Sequence, residues 1–498
     1  MKILAISDIH YSDLSRCITR KNEPDAVLGR TLIKKTFLRL EHMGIRPDVT
    51  VLLGDLLQGD THPSAKLDLI ALKGELTRSG IPFLALPGNH DINPDEFNRI
   101  MGTEPGLHIF NGYGFIVYND VFEKHDDCDT CIRTRNCIEQ TSRIASQNPG
   151  LPLIALQHAP VYPSISSNYP YNPLNASSIL HSYTENNILL SLSGHYHEGT
   201  PPTTHKGVLY HTVPALKNAP FSFSLIEIHN TETEIRTIPL QMKEDFIRDT
   251  HCHTEHAYCG TTTDTAKCIA LSKNLGINKL CITEHAFQLY FPKKQALSFI
   301  WQSHPEMVAD IWKTTDRGRM RNYHDYIRAV RSDFVKTGLE LDLYGDGRLL
   351  LAPEDMEFGW DILVGAVHFI EGFRRGSINQ STAESLFIRD LERMLAHGVH
   401  VIAHPFRFFG RNNLETPSHL YRPVAELLAH YDTAAEINYH THSPDPDFIR
   451  TCVACGVKLT LGSDTHDLAE AGEFYPHIEL MKRAGIKPGN MKNHLLEL

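Results

Sequence analysis

Short apolar runs in this chain keep ending in a histidine or a carboxylate. KILAIS leads into Asp8-Ile9-His10, VTVLL into Gly54-Asp55, and IPFLALP into Gly88-Asn89-His90-Asp91. LIALQ leads into His158, and ILLSLS into Gly194-His195-Tyr196-His197. The pattern resumes later with Asp249-Thr250-His251-Cys252-His253, Glu284-His285, Glu340, His368, His404 and Asp464-Thr465-His466. Histidine takes 30 of the 498 positions, and imidazole beside carboxylate is what transition-metal sites are made from. Any one block reads equally well as a capping acid or a satisfied core histidine. Recurrence at strand end after strand end requires a fold that gathers strand ends together.

The runs alternate with helical patterns. Apolar positions at helical spacing over 25–43 predict a helix stopped by Gly44, and a second helix falls near 65–79. VLYHTV, FSFSLIEI and EIRTIPL read as an antiparallel run that closes the first half. QMKED (241–245) ends this layered α/β pattern. From Phe246 seven strand candidates follow: FIRDTHCH, KLCITEH, LELDLY, ILVGAVHF, VHVIAHP, AAEIN and KLTLGSD. Most are separated by helical stretches, such as 322–337, 381–397, 420–430 and 472–485. Seven strands with crossovers predict a closed or nearly closed βα barrel, in which chemistry gathers at the C-terminal strand ends. The expectation is two domains, 1–245 and 246–498, each long enough for its own core.

Composition narrows the function classes. Apolar residues make up 41% and charged residues 21%, as in ordinary soluble proteins. The formal charge of −11 excludes a generally basic, nucleic-acid-coating surface while leaving room for a local groove. Ten cysteines are too sparse for a disulfide scaffold. No apolar run approaches the roughly 20 residues that span a bilayer. A cleaved leader would remove MKILAISDIH and the first block with it. The expected setting is reduced and cytoplasmic, without a membrane partner.

In the first half, Asp8 and His10 share a strand face at i and i+2, as do His195 and His197, so each pair can reach one ion. Asp55 has two oxygens and can bridge two ions. Two ions about 3.5–4 Å apart can clamp the attacking and leaving oxygens of an in-line displacement at phosphorus. Glycines at 54, 88 and 194 let the backbone come close. In the order D-x-H, G-D, G-N-H-D, H, G-H-x-H, the blocks resemble the calcineurin-like metallophosphoesterase family over nearly all of the first half. The resemblance implies an N-terminal layered αββα sandwich with two divalent metals (Mn, Fe or Zn). It implies Asp8, His10, Asp55 and His197 on one ion and Asp55, Asn89, His158 and His195 on the other. His90 would protonate the leaving group, with Asp91 holding its ring.

In the second half, ligands from six strands meet only if the strands surround one mouth. Across about 250 residues this half resembles the polymerase-and-histidinol-phosphatase (PHP) family. The resemblance implies a C-terminal distorted (β/α)7 barrel with two or three divalent metals (Mn, Zn or Fe). His251, His253, Glu340 and Asp464 would hold one ion. Glu340 would bridge to a second on His368 and His404, and His285 and His466 would hold a third. The usual remaining ligand of that third ion is a His or Asp shortly after H-x-H; here the nearby choices are His256 and Cys259, and a thiolate would favour zinc. Arg407 could meet a substrate phosphate as a planar fork, or be solvated or ion-paired.

Three weaker signals remain. Cys128-x2-Cys131-x5-Cys137 with His125 reads better as a loop with free thiols than as a zinc site. VYPSISSNYPYNP (161–173) could wall a ligand or stack a base, but reads better as a Pro-rich surface loop. The insertion 291–321, with Lys293, Lys294, Lys313, Arg317, Arg319 and Arg321, is either a cationic lid or a solvated face. Together the halves predict a metal-dependent hydrolase of phosphate mono- or diesters, bifunctional on small phosphorylated metabolites or nucleotides. The alternatives are a nucleic-acid processing nuclease, or one catalytic half beside a regulatory metal-binding half. The oligomeric state is not legible.

Overall fold

The protein is described by a computed structural model covering residues 1–13, 24–59, 64–124, 128–229, 232–345, 347–370, 373 and 379–497. The chain divides into two compact units, Met1–Gln241 and Met242–Leu498.

The first unit is built on two stacked sheets. Its strands are β1 (Lys2–Ile6), β2 (Val49–Leu53), β3 (Phe83–Leu86), β4 (Gly106–Phe110), β5 (Tyr113–Val117), β6 (Val121–Lys124), β7 (Asp129–Ile132), β8 (Leu153–Leu156), β9 (Ile188–Ser193), β10 (Thr200–His205), β11 (Val208–Thr212), β12 (Ser222–His229) and β13 (Glu232–Pro239). One sheet runs β13-β12-β1-β2-β3, the other β10-β11-β9-β8-β5-β4, and β6 and β7 form a separate ribbon. Side chains two apart on each strand fill the space between the sheets: Ile3 and Ala5, Val49 and Val51, Leu84 and Leu86 from one, Ile154 and Leu156, Leu190 and Leu192 from the other. This alternation is the packing of two aligned sheets. On the outer face of the second sheet, Ile116, Leu153 and Ala155 pack with Ile144, Ile179 and Tyr183 from helices Arg135–Gln147 and Ala176–Glu185. Helices Gly29–His42 and Ala65–Arg78 contribute buried Leu32, Ile33, Leu69, Leu72 and Leu76. The architecture is the expected layered α/β sandwich.

One expectation is corrected here. Val208–Thr212 does not continue an antiparallel run with the two strands after it. β11 lies in the second sheet, parallel to β9 and antiparallel to β10, while β12 and β13 pair with each other beside β1. The partner missed in the sequence is β10, TPPTTH, a mostly exposed strand at a sheet edge. Prolines are tolerated there, and an edge strand needs no apolar alternation to announce it.

The second unit is a closed barrel of seven strands in the order β14-β15-β16-β19-β20-β21-β22. These are β14 (Arg248–Cys252), β15 (Lys279–His285), β16 (Val335–Leu341), β19 (Ile362–Gly365), β20 (Val401–Ile402), β21 (Ala434–Asn438) and β22 (Leu459–Gly462), with a small ribbon of β17 (Leu343–Tyr344) and β18 (Arg348–Leu349). Every barrel pairing is parallel, and Asp249 opposite Leu461 closes the ring. Each of the seven sequence runs supplies a strand. The helix expected over 322–337 is shorter: it ends at Val330, and Val335 already starts β16. A turn at Ser332 intervenes, with Ser332 N donating to Val335 O at 3.0 Å and Val335 N to Ser332 Oγ at 3.0 Å.

The insertion 291–321 is packed rather than free. Trp301 is wholly buried, with ring centroids 5.6 Å from Phe287 and 6.0 Å from Phe291. Two of its six cations serve that packing: Arg317 pairs with the buried Asp355, and Arg319 donates to the carbonyls of His256 and Gln288.

Candidate metal centres

In the first unit, the ligand candidates sit on loops that leave parallel strands side by side. Asp8 and His10 lie beyond β1, both at positive φ (52° and 49°), and Asp55 after β2 has φ 51°. Strand alternation is therefore not what aims them. Left-handed turns do, and backbone bonds hold the two loops in register: Asp8 N to Gly54 O at 3.1 Å, His10 N to Asp55 O at 3.0 Å. Such conformations are costly for non-glycine residues and cluster at functional sites. A Cβ at Gly88 would collide with the Asp55 carboxylate and the His158 ring, and one at Gly194 with Ser7 and Asp8.

Donor atoms within 4.8 Å of one another include the groups Asp8, His10 and His197; His10, Asp55 and His90; and Asp55, His158 and His195. Asp55 Oδ2 lies 3.6 Å from His10 Nε2 and 3.3 Å from His158 Nε2, so this carboxylate faces the first and last of these groups. Asn89 Oδ1 is 3.2 Å from His158 Nε2. Among the described residues, none makes a hydrogen bond to the buried atoms Asp8 Oδ1, His10 Nε2 or His195 Nε2. Buried polar atoms need partners, and a donor set of imidazoles, carboxylates and one amide fits divalent transition metals. Burial works against charge on His158, yet Asp55 holds its pKa up at about 9. Burial, reinforced by His158, pushes His195 down to about 3.

His90 packs against His10, ring centroids 4.8 Å apart, and its backbone N–H donates to Asp55 Oδ1 at 2.8 Å. Asp91 does not hold the His90 ring, contrary to expectation. Its carboxylate accepts the backbone N–H groups of Leu56, Leu57 and Gly88 at 3.2, 2.8 and 2.9 Å. It ties the two loops together, and the His90 Nδ1 faces Gln58 O at 3.3 Å instead.

In the second unit the candidates again follow strand ends, with Asp464 at φ 49° and His404 at φ 33°. His253 Nε2 lies 3.1 Å from Asp464 Oδ1 and 3.5 Å from Glu340 Oε2, and His251 Nε2 lies 3.4 Å from Glu340 Oε2. The other oxygen, Glu340 Oε1, is 3.3 Å from His368 Nε2 and 3.0 Å from His404 Nε2. Glu340 thus stands between the two groups as Asp55 does in the first unit. His253, His285 and His466 form a third group, although His285 Nδ1 also contacts Glu340 Oε2 at 2.5 Å. Of the two choices for a further donor there, Cys259 is the neighbour: its Sγ is 3.1 Å from His466 Nε2, while the His256 ring packs on Tyr326. Glu340 Oε2 and Asp464 Oδ1 are buried and have no hydrogen bond among the described residues, so this donor set also fits divalent ions. Arg407 is buried, with Nη1 2.5 Å from Asp464 Oδ2 and Nη2 3.4 Å from His368 Nε2.

Several residues escaped the sequence reading. Glu436 accepts from the His251 ring at 2.8 Å and from His404 N at 2.8 Å, and Asp342 meets His368 Nδ1 at 3.1 Å. Such contacts orient ligating imidazoles, and together with Glu340 the Asp342 carboxylate holds His368 up at about 9 against its burial. A signal existed: both are acids within or directly after apolar strand runs. Asp129 on β7 had no signal; it accepts from Asn89 Nδ2 at 2.6 Å and so leaves Oδ1 turned to His158. The Pro-rich segment 161–173 is more than surface: Tyr169 and Tyr171 stand 5.6 and 5.4 Å from the His195 ring. Cys128, Cys131 and Cys137 are free thiols, Cys131 buried on β7 and Cys137 on the following helix; His125 lies outside the described residues.

The calcineurin-like phosphoesterase family profile matches residues 1–199, and that of the PHP domain matches 249–440. A probable histidinol-phosphatase of Deinococcus radiodurans is 24% identical over 249 residues, covering 45% of this chain and 88% of that protein. An uncharacterised Schizosaccharomyces pombe protein is 31% identical over 116 residues, 21% of this chain and 22% of that one. A dimetal phosphatase from Danio rerio aligns in structure with a TM-score of 0.34 and 14% identity, over 48% of this chain and 98% of that one. No helix among the described residues is long and apolar enough to cross a membrane. The chain joins a calcineurin-like phosphoesterase domain to a PHP domain.

Proposed function

We propose that both centres hydrolyse phosphate esters of small molecules, one opening a diester and the other removing the resulting monoester. The observation that carries this reading is the repeated geometry: in each unit one buried carboxylate, Asp55 or Glu340, faces two groups of ligand atoms at 3.0–3.6 Å. Asp8, His10, Asp55 and His197 would hold one ion and Asp55, Asn89, His158 and His195 a second. In the PHP unit the sets are His251, His253, Glu340 and Asp464, then Glu340, His368 and His404, then His285 and His466 with Cys259. Ions held there would neutralise charge on the phosphoryl oxygens and activate the attacking water. His90, at the rim beside His10, is placed to give a proton to the leaving oxygen. Arg407 keeps one nitrogen on Asp464 and can offer the other edge of its fork to a phosphate. The Deinococcus relative's name supports a monoester for one centre.

The test uses full-length, Mn²⁺-loaded protein with bis-p-nitrophenyl phosphate and p-nitrophenyl phosphate. Asp55→Asn and Glu340→Gln should each abolish one activity, by at least about 10²-fold, and spare the other. If neither change affects either activity in folded protein, the proposal fails.

A further inference from the structure

Beside the first centre lies a cavity of about 350 Å³ whose lining includes Asp55, His195, Tyr169, Tyr171, Tyr196 and Glu198. Its size falls within the range of small-molecule sites. Three of its walls are tyrosine rings. Tyr169 and Tyr171 lie 4.7 Å apart, and Tyr171 meets Tyr196 edge-on at 5.0 Å. Two of the rings also touch His195, so this aromatic surface begins where the ligand atoms end.

The surface is held in place. Asn172 staples the loop, accepting from Ile165 N at 2.7 Å and donating to the carbonyls of Pro160 and Pro163 at 2.7 and 3.0 Å. The Tyr169 hydroxyl accepts from Asp129 N at 3.4 Å, and the Tyr196 hydroxyl donates to Glu198 Oε2 at 2.7 Å. A platform fixed before binding loses little freedom when a ligand arrives. Besides Asp55 the lining carries a second acid, Glu198, and, among the described residues, no lysine or arginine. A second phosphate outside the metal centre would therefore face Glu198 without a counter-charge. A planar, uncharged ring with N–H donors on its edge would stack on tyrosine and find an acceptor in Glu198.

We propose that this cavity is a base-stacking subsite, so that the first centre acts on phosphate esters of nucleosides, as nucleoside monophosphates or cyclic nucleotides. This rests on the esterase reading of that centre and names its substrate class. Base–tyrosine stacking gives the ring-bearing ester its advantage, and Tyr171, flanked by both other rings, carries the largest share.

The experiment compares 2′,3′-cyclic AMP and AMP with glycerophosphocholine, glycerol 3-phosphate and glucose 6-phosphate, using Mn²⁺-loaded full-length protein in a Glu340→Gln background. Whichever nucleotide the first centre hydrolyses should show a KM about tenfold or more below that of the ring-free esters of the same type. Tyr171→Leu should raise the nucleotide KM about tenfold with kcat nearly unchanged, and Tyr171→Phe should restore it. Equal preference for ring-free esters, or a nucleotide KM indifferent to Tyr171→Leu, overturns the proposal. A second readout needs no turnover: saturation transfer from protein aromatic protons to the adenine of AMP in Asp55→Asn protein. Transfer that disappears in Tyr171→Leu supports the subsite even if no ester is hydrolysed, which would refute the esterase reading alone. Absence of transfer with Tyr171 intact overturns the subsite.

Discussion

Asp8, His10, Asp55, His195, His404 and Asp464 all sit at positive φ, and each is a ligand candidate named from its block. The residue types and order were legible; the backbone conformation that aims them was not, because a left-handed turn leaves no mark when the residue is not glycine. Asp91 shows the same limit. It stands next to His90 in sequence, yet its oxygens go to three backbone N–H groups on two loops, a long-range arrangement that no spacing encodes. Cys259 carries the prediction at this scale. Burial pushes its thiol pKa up, so it lies protonated until an ion displaces the proton, and a thiolate is a soft ligand. Co²⁺-loaded protein should show a thiolate-to-cobalt charge-transfer band in the near ultraviolet. Cys259→Ser should lose it while keeping the weaker bands of the imidazole sites; a band that survives assigns the thiolate elsewhere.

Among the elements, the apolar strands were readable because both faces of a parallel strand are buried and its run is nearly unbroken. β10 was not, since its exposed prolines fit an edge, and the sheet assignment of β11 went wrong with it. That assignment places His211 between layers: on β11 its Nε2 meets Ser224 Oγ of the opposite sheet at 2.8 Å, and its Nδ1 meets Thr200 O at 2.8 Å. Burial pushes its pKa down to about 4, below the unfolded value of about 6.5. Below pH 6.5 the unfolded chain takes up a proton that the folded one refuses. The stability this histidine supports is thus present above that pH and lost as pH falls through 4. The loss amounts to at most about 3 kcal/mol. His211→Gln should unfold at lower urea than the parent protein at pH 7 and lose less stability on going to pH 4.5. An identical acid response in the two proteins would remove His211 from the account.

For the molecule as a whole, the seven-strand barrel followed from counting runs. The supporting shells did not, because Glu436, Asp342 and Asp129 act through partners far away in sequence. Each unit gathers its donors from its own strands, so metal should stabilise each unit separately. Binding that is restricted to the folded state adds about 2.7 kcal/mol when free metal is 100 times Kd. Chelation should therefore lower both thermal transitions. Asp55→Asn should make one of them insensitive to chelator and Glu340→Gln the other; a single transition that responds alike in both variants would contradict independent sites.

The contact between His195 N and Asp8 Oδ2 joins positions 187 apart, and Asp249 meets Ser463 across 214. During synthesis, neither binding pocket can exist until nearly all of its own unit has left the ribosome. An ion that requires the full donor set of a unit would therefore be taken up only after the last ligand-bearing strand of that unit has been synthesised.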